Sequence, residues 1–139
     1  MMDYQTISIE KQGPVDHLWL DRPEVLNAIN TPMVTELRDY FAGLAENKET
    51  RLVVLRGRGR AFCAGLDIKS AINRDEPTPF GGGMGFQGYL ADVYIRMRRC
   101  PQPIISLVQG PACGGGFAFM LASDIRIAGE SARMNAAFI

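Results

Sequence analysis

Two segments of the chain share an arrangement that strongly limits the folds it can adopt. In each, an apolar run is followed by a glycine-bearing turn and the start of a helix, over residues 52–69 and 104–123. The centre of the first run, residues 52–55, is continuously apolar and leads to a glycine-rich turn, which is typical of a strand covered on both faces. Strands of this kind alternating with helices predict an α/β fold.

The hydrophobic periodicity predicts the remaining elements. In chain order these are strands at 4–10 and 15–21 joined by a turn at 12–14, a helix from 31 to about 47, a strand at 51–56, a helix at 89–100, a strand at 104–109, a helix at 114–123 and a strand at 124–128. Val15, Leu18 and Leu20 are the core candidates of the hairpin. Thr31 is the expected cap of the first long helix, and Pro32 suits its first turn.

Two stretches of the second half carry further expectations. Residues 73–88 contain two prolines and five glycines, which predicts a long mobile loop. The helix at 114–123 is almost wholly apolar, so it is expected to be buried on all sides. We expect a half-length chain to leave Phe117, Phe119 and Phe138 poorly covered, which predicts either association or a disordered remainder.

Composition excludes several classes of protein. The chain has 139 residues, 47% of them apolar and 22% charged, which describes about one globular domain. Fifteen basic residues balance fifteen acidic ones, so nucleic acid is not an expected partner. The longest apolar stretch, 117–122, is too short to span a bilayer, and no membrane partner is expected. Three unpaired cysteines favour a reducing, cytoplasmic location, and no Cys and His spacing predicts a metal site.

The two glycine-bearing turns are the candidate site. Backbone N–H groups at the start of a helix have no intrahelical acceptor, and two such donors facing one point would form an oxyanion hole. Glycine turns of this kind also serve close packing alone, so that alternative stays open. Neither turn matches the phosphate loop of nucleotide triphosphatases or the dinucleotide fingerprint.

Four sequence motifs carry a resemblance to a known family. These are RPEVLNAIN at 22–30, RAFCAGLDIK at 60–69, QGPACGGG at 109–116 and ASDIRIA at 122–128. Together and in this order they resemble the crotonase family, the enoyl-CoA hydratase/isomerase superfamily. The resemblance implies a crotonase-like spiral of ββα repeats that is apparently truncated, with residues 1–139 as the amino-terminal part of the core domain and the carboxy-terminal part absent. It also implies a homotrimer or a dimer of trimers.

The resemblance further implies an acyl-CoA thioester substrate, with coenzyme A as part of the substrate and no separate cofactor. By motif position, the amides of Leu66 and Gly115 are the donors that would hold an enolate oxygen, and a Cβ at Gly115 would crowd the thioester. The positions implied in coenzyme A binding are Val25, Ala28, Ala64, Asp67, Ile68 and Lys69. From the residues alone, Asp67 is more simply a helix cap.

One departure from the family pattern limits the reaction. The two glutamates that hold water in hydratases fall on Ala118 and at about Phe138, neither of which can transfer a proton. The sequence therefore favours an enzyme with isomerase-like or other enolate chemistry over classical hydration. The alternative is a non-catalytic acyl-CoA-binding or assembly subunit, and RNA binding ranks below both.

Overall fold

The elements of the fold alternate between strands and helices, as the sequence predicts. A computed structural model of the chain describes residues 3–72 and 82–137. In order, the elements are β1 (Ile7–Gln12), β2 (Val15–Leu20), a 3-10 turn (Pro23–Val25), α1 (Thr31–Leu44), β3 (Leu52–Gly57), α2 (Ile68–Ile72), α3 (Gly82–Arg99), β4 (Ile104–Val108), β5 (Pro111–Cys113), α4 (Gly115–Ala122), β6 (Ile125–Ala128) and β7 (Arg133–Asn135).

The main sheet has the strand order β1-β2-β3-β4-β6. The first two strands form an antiparallel hairpin, and β2, β3, β4 and β6 then pair in parallel. Between successive parallel strands the chain makes a short extended segment and a helix. This confirms both the α/β fold class and the expected spiral of ββα repeats.

The short extended segments form a second row of parallel pairings. Ile29 pairs with Leu66, Cys63 pairs with Ala112, and β5 pairs with β7. Each turn of the spiral thus adds one strand to the main sheet and one short pairing to this row. Both glycine-bearing turns lie in the second row, which places them side by side.

The face of β2 that enters the core differs in part from the prediction. Leu18 and Leu20 are fully buried, but Val15 is only half-buried, and Asp16 is buried in its place. Asp16 can occupy this site because Tyr40 donates a hydrogen bond to it over 2.8 Å and Lys11 pairs with it at 3.0 Å. A buried carboxylate is tolerated when it is satisfied in this way.

Helix α1 follows the predicted periodicity, but its cap is one residue earlier than expected. The side chain of Asn30, rather than Thr31, accepts a hydrogen bond from the amide of Met33, and the helix ends at Leu44. Within the helix, Glu36 is buried because it accepts hydrogen bonds from the amides of Gln5 and Thr6 at 2.8 Å. This carboxylate ties α1 to the start of β1.

The prediction of a long loop over residues 73–88 is wrong for residues 82–88. Helix α3 begins at Gly82 and continues to Arg99, although residues 73–81 lie outside the described part of the chain. Contacts with α1 favour the helical state, since the hydroxyls of Thr35 and Tyr89 lie 2.6 Å apart. Tertiary packing has overridden the low helix propensity of glycine here.

The expected burial of α4 also needs correction. Leu121 is 53% exposed, so the helix is not covered on all sides. Phe119 is fully buried, contrary to the expectation that it would be poorly covered, and Phe117 is half-buried. Phe138 lies outside the described residues. In the described ranges, no helix is both long and apolar enough to cross a membrane.

Candidate functional site

The two glycine-bearing turns are joined by backbone hydrogen bonds. The amides of Phe62 and Cys63 donate to the carbonyl of Pro111 at 3.1 and 3.0 Å, and the amide of Cys113 donates to the carbonyl of Cys63 at 3.0 Å. The end of the first turn and the beginning of the second therefore run alongside each other.

Glycine is required where the turns touch. Gly65 has a φ of +98°, and a Cβ placed on it would lie 3.0 Å from the carbonyl oxygen of Cys113 and 4.0 Å from Cα of Gly114. A Cβ placed on Gly116 would lie only 2.3 Å from the carbonyl oxygen of Cys63. A side chain at either position would push the turns apart.

Leu66 is held by backbone bonds on both sides of it. The amide of Ile29 donates to the carbonyl of Gly65 at 2.8 Å, and the amide of Asp67 donates to the carbonyl of Ile29 at 2.9 Å. Because neighbouring peptide groups of an extended segment point to opposite sides, the N–H of Leu66 points away from Ile29. Among residues 3–72 and 82–137 it has no hydrogen-bond acceptor.

Gly115 is the first residue of α4, where amides lack intrahelical acceptors and the helix dipole is positive. Its N–H also has no acceptor within the described part of the chain. A Cβ on Gly115 would lie 2.7 Å from Cδ1 of Ile29 and 3.2 Å from the hydroxyl of Tyr94. The structure therefore gives a packing reason for this glycine, in addition to the expected crowding of a thioester.

Asp67 caps the short helix α2 and pairs with Arg22. Its carboxylate accepts a hydrogen bond from the amide of Ser70 at 3.3 Å and lies 3.1 Å from the guanidinium of Arg22. Burial raises the pKa of Asp67, but the hydrogen bonds from Ser70 and Arg22 outweigh that effect and leave the pKa below its usual value. This carboxylate therefore stays ionised at neutral pH and acts as a cap, as its position suggested.

The residues implied in coenzyme A binding lie on two adjoining segments. The amide of Ala64 donates to the carbonyl of Leu26 at 3.0 Å, which brings residues 25–28 against residues 64–67. Their exposure differs: Ala28 is buried, Ala64 is half-buried, and Val25, Ile68 and Lys69 are exposed.

The segment at residues 22–29 contains site residues that the sequence patterns did not single out. Asn27 is fully buried with a φ of 56°, and its side chain accepts from the amide of Arg22 and donates to the carbonyls of Ala61 and Phe62. The asparagine amide thus fixes the first turn. Asn27 belongs to the motif at 22–30, although nothing in that motif marked its structural role. The signal that could have revealed the role is an asparagine at a turn position that requires positive φ.

The remaining polar groups near the turns give little support to acid–base chemistry. Ala118 is half-buried on α4, whereas Phe138 lies outside the described residues. Cys63 is buried, which raises the pKa of its thiol to about 12, and its Sγ donates to the carbonyl of Asn27. In the part of the chain that the structure describes, no cluster of His, Cys, Asp or Glu could hold a metal ion.

Comparison with known proteins places this geometry in a family. The sequence profile described as "Enoyl-CoA hydratase/isomerase" matches residues 10–139. "Probable enoyl-CoA hydratase EchA12" of Mycobacterium tuberculosis (strain H37Rv) is 38% identical over 140 residues, which is 96% of this chain and 48% of that protein. The "1,2-epoxyphenylacetyl-CoA isomerase" of Escherichia coli (strain K12) is 34% identical over 139 residues, which is 99% of this chain and 52% of that protein.

Solved structures agree with the sequence comparisons. The crystal structure of enoyl-CoA hydratase from Bacillus anthracis superposes with a TM-score of 0.80 at 32% identity, covering 94% of this chain and 50% of that chain. The chain thus spans about half the length of the relatives it matches.

Proposed function

The chain belongs to the enoyl-CoA hydratase/isomerase family, and from that premise we propose that it acts on an acyl-CoA thioester through an enolate held by the amides of Leu66 and Gly115. An enolate concentrates negative charge on one oxygen. A fixed pair of N–H donors aimed at that oxygen stabilises the transition state more than the ground state.

One observation carries this proposal. Gly65 and Gly114 lie where the two turns touch, and Leu66 and Gly115 directly follow them. Neither the Leu66 amide nor the Gly115 amide has a hydrogen-bond acceptor in the described ranges. The first amides of a helix commonly lack an intrahelical acceptor, but here a second free amide, that of Leu66, lies on the adjoining turn. Two of them on adjoining turns point to a ligand that accepts hydrogen bonds.

The reaction that we propose is isomerase-like, or another reaction that passes through an enolate, rather than hydration. Hydration needs a base for water and an acid for the α-carbon, and Ala118 and Phe138 can serve as neither. In the reaction that we propose, the α-carbon–hydrogen bond breaks, its electron pair forms the enolate, and the proton passes to a basic group at another position of the enzyme. One relative is named an isomerase, which fits this assignment.

For coenzyme A we propose contacts with Val25, Ala28, Ala64, Asp67, Ile68 and Lys69. The Lys69 ammonium is exposed beside these segments, where it would meet a phosphate. We further propose a homotrimer or a dimer of trimers, as the family resemblance implies, and a cytoplasmic location, which the three cysteines favour.

The first test removes a single N–H. Replacing Leu66 by its α-hydroxy acid converts the amide to an ester, which deletes the proposed donor and weakens the Gly65 carbonyl as the acceptor of the Ile29 amide. We expect α-proton exchange of butyryl-CoA in deuterium oxide to fall about a hundredfold, the typical effect of losing one oxyanion donor. Stability should fall only slightly, because this N–H has no acceptor in the described structure and the bond from Ile29 to Gly65 is weakened rather than lost.

The matched control is the same replacement at Leu121, an exposed leucine on α4. It should cost one helix hydrogen bond and leave the exchange rate unchanged. Equal exchange rates in the parent and the ester at residue 66 would overturn the proposal. A parent that binds butyryl-CoA without any exchange would instead support the second candidate, a non-catalytic acyl-CoA-binding subunit, which the alanine at position 118 favours.

A further inference from the structure

Tyr94 of α3 lies across the first turn of α4. Its hydroxyl donates to the carbonyl of Gly115 over 2.9 Å, a contact between residues 21 apart in sequence. Its ring lies 5.2 Å from the ring of Phe119 at an interplanar angle of 58°. Tyr94 therefore contacts Gly115 and Phe119, which are successive positions on one face of the helix.

These contacts enclose the residue that carries the second proposed donor. The site of a Cβ on Gly115 lies 3.2 Å from the Tyr94 hydroxyl and 2.7 Å from Cδ1 of Ile29. Ile29 also makes the two backbone bonds that flank Leu66. A displacement of residue 115 would therefore change its spacing from residue 66.

We propose that Tyr94 is a positioning residue: its hydrogen bond to the Gly115 carbonyl holds the Gly115 amide at the distance from Leu66 that a thioester oxygen requires. This inference rests on the proposed function. The physical reason is that a donor pair contributes most when it is fixed before the charge develops, and small misplacements weaken it. The anchor joins α3 to the helix start without occupying the donor itself.

The state of the phenol supports this role. Burial raises the pKa of Tyr94 well above its ordinary value, and the nearby Cys63 raises it further. The hydroxyl therefore remains protonated at neutral pH and keeps its proton for the Gly115 carbonyl.

The test uses Tyr94→Phe, which removes the hydroxyl and keeps the ring against Phe119. The probe is butyryl-CoA labelled with ¹³C at the thioester carbonyl, and the readout is the carbonyl stretching frequency of the bound thioester by difference infrared spectroscopy. We expect a smaller lowering of that frequency than in the parent. The α-proton exchange rate at saturation should fall about five- to tenfold, the usual effect of one lost hydrogen bond, with the dissociation constant nearly unchanged.

The matched control is Tyr40→Phe, which also removes a buried phenol hydrogen bond, the one between α1 and Asp16 of β2. If the Tyr94 hydroxyl had only a structural role, both variants would lose stability and the carbonyl stretching frequency of the bound thioester would stay unchanged. Replacing Tyr94 by p-aminophenylalanine, which still has an N–H donor, should restore part of the shift. A Tyr94→Phe protein with the parental frequency would overturn this inference alone, whereas a parent that binds the thioester without lowering its frequency would overturn the proposed function and this inference together.

Discussion

At the scale of single residues, Asn27 shows how one side chain can organise a whole turn. It adopts a left-handed backbone conformation at a φ of 56° and is fully buried. Its Oδ1 accepts from the Arg22 amide at 2.8 Å, and its Nδ2 donates to the Ala61 carbonyl at 3.1 Å. Asparagine suits this position, because it tolerates positive φ and its amide can satisfy several backbone groups at once.

We predict that Asn27→Ala destabilises the fold by about 2 to 4 kcal/mol, because it leaves buried backbone groups unpaired and strains a left-handed residue. Urea unfolding measures this loss. Asn27→Gly removes the same hydrogen bonds without the strain, so it should cost less than Asn27→Ala. Ordinary surface substitutions change the free energy of unfolding by about 0.5 kcal/mol or less. A change no larger than that for Asn27→Ala would show that the role assigned to this side chain is wrong.

The local sequence indicates the two glycine-bearing turns but not the contacts that hold them in place. The two strand-turn-helix patterns are continuous in sequence, so the glycines and the helix start could be predicted from neighbouring residues. The contacts of Tyr94 with Gly115 and of Ile29 with Gly65 join residues 21 and 36 positions apart. No periodicity encodes such pairs, because each depends on how separate elements pack.

At the scale of elements, an acidic residue on α3 joins two helices. The Asp92 carboxylate accepts from Nε of Arg38 on α1 and from Nε of Arg96 on α3, both at 2.7 Å. The hydrogen bonds from Arg38 and then Arg96 hold the pKa of Asp92 below its usual value of 3.8. A carboxyl whose pKa is lowered by folding stabilises the fold above its unfolded pKa, and this contribution disappears as the pH falls through the folded pKa.

We therefore predict that Asp92→Asn lowers stability at pH 6.5 by less than about 1 kcal/mol, because partly exposed ion pairs contribute little. The difference from the parent should shrink as the pH falls below about 4, the region where free Asp side chains titrate. Urea unfolding at several pH values measures this. Glu46→Gln is the control, since Glu46 is exposed and makes none of the ion pairs found in the described part of the chain. A difference that stays constant with pH would contradict the assignment.

Elements with one-sided burial were the most predictable from sequence. Helix α1 followed its apolar spacing, but two adjacent capping residues, Asn30 and Thr31, left its start ambiguous by one position. In β2, alternation places Asp16 on the same face as Leu18 and Leu20, but a carboxylate is not expected in a core without a partner, and its partner Tyr40 lies 24 residues away. The glycines from 82 onward suggested a loop, but α3 runs through them, with Phe86 packed against the core.

At the scale of the whole molecule, the outer face of the main sheet is apolar near β6. Ile125 pairs with Ile105, and Ile127 pairs with Leu107, so all four side chains share one face. Ile125 and Ile127 are 52% and 54% exposed, and β6 is the last strand of the sheet within the described residues. An exposed apolar patch at this edge of the sheet favours association with another chain.

We predict that the 139-residue chain self-associates through this edge and that the double variant Ile125→Thr/Ile127→Thr is more monomeric. Threonine keeps the strand propensity of isoleucine, and exposed positions tolerate the change, so the unfolding temperature should stay within a few degrees. Sedimentation velocity over a concentration series measures the association. Ile95→Thr, at a comparably exposed isoleucine on α3, is the control and should leave the sedimentation coefficient unchanged. A parent that sediments as a monomer at every concentration would show that this apolar edge does not drive association, because association driven by apolar burial must strengthen with concentration.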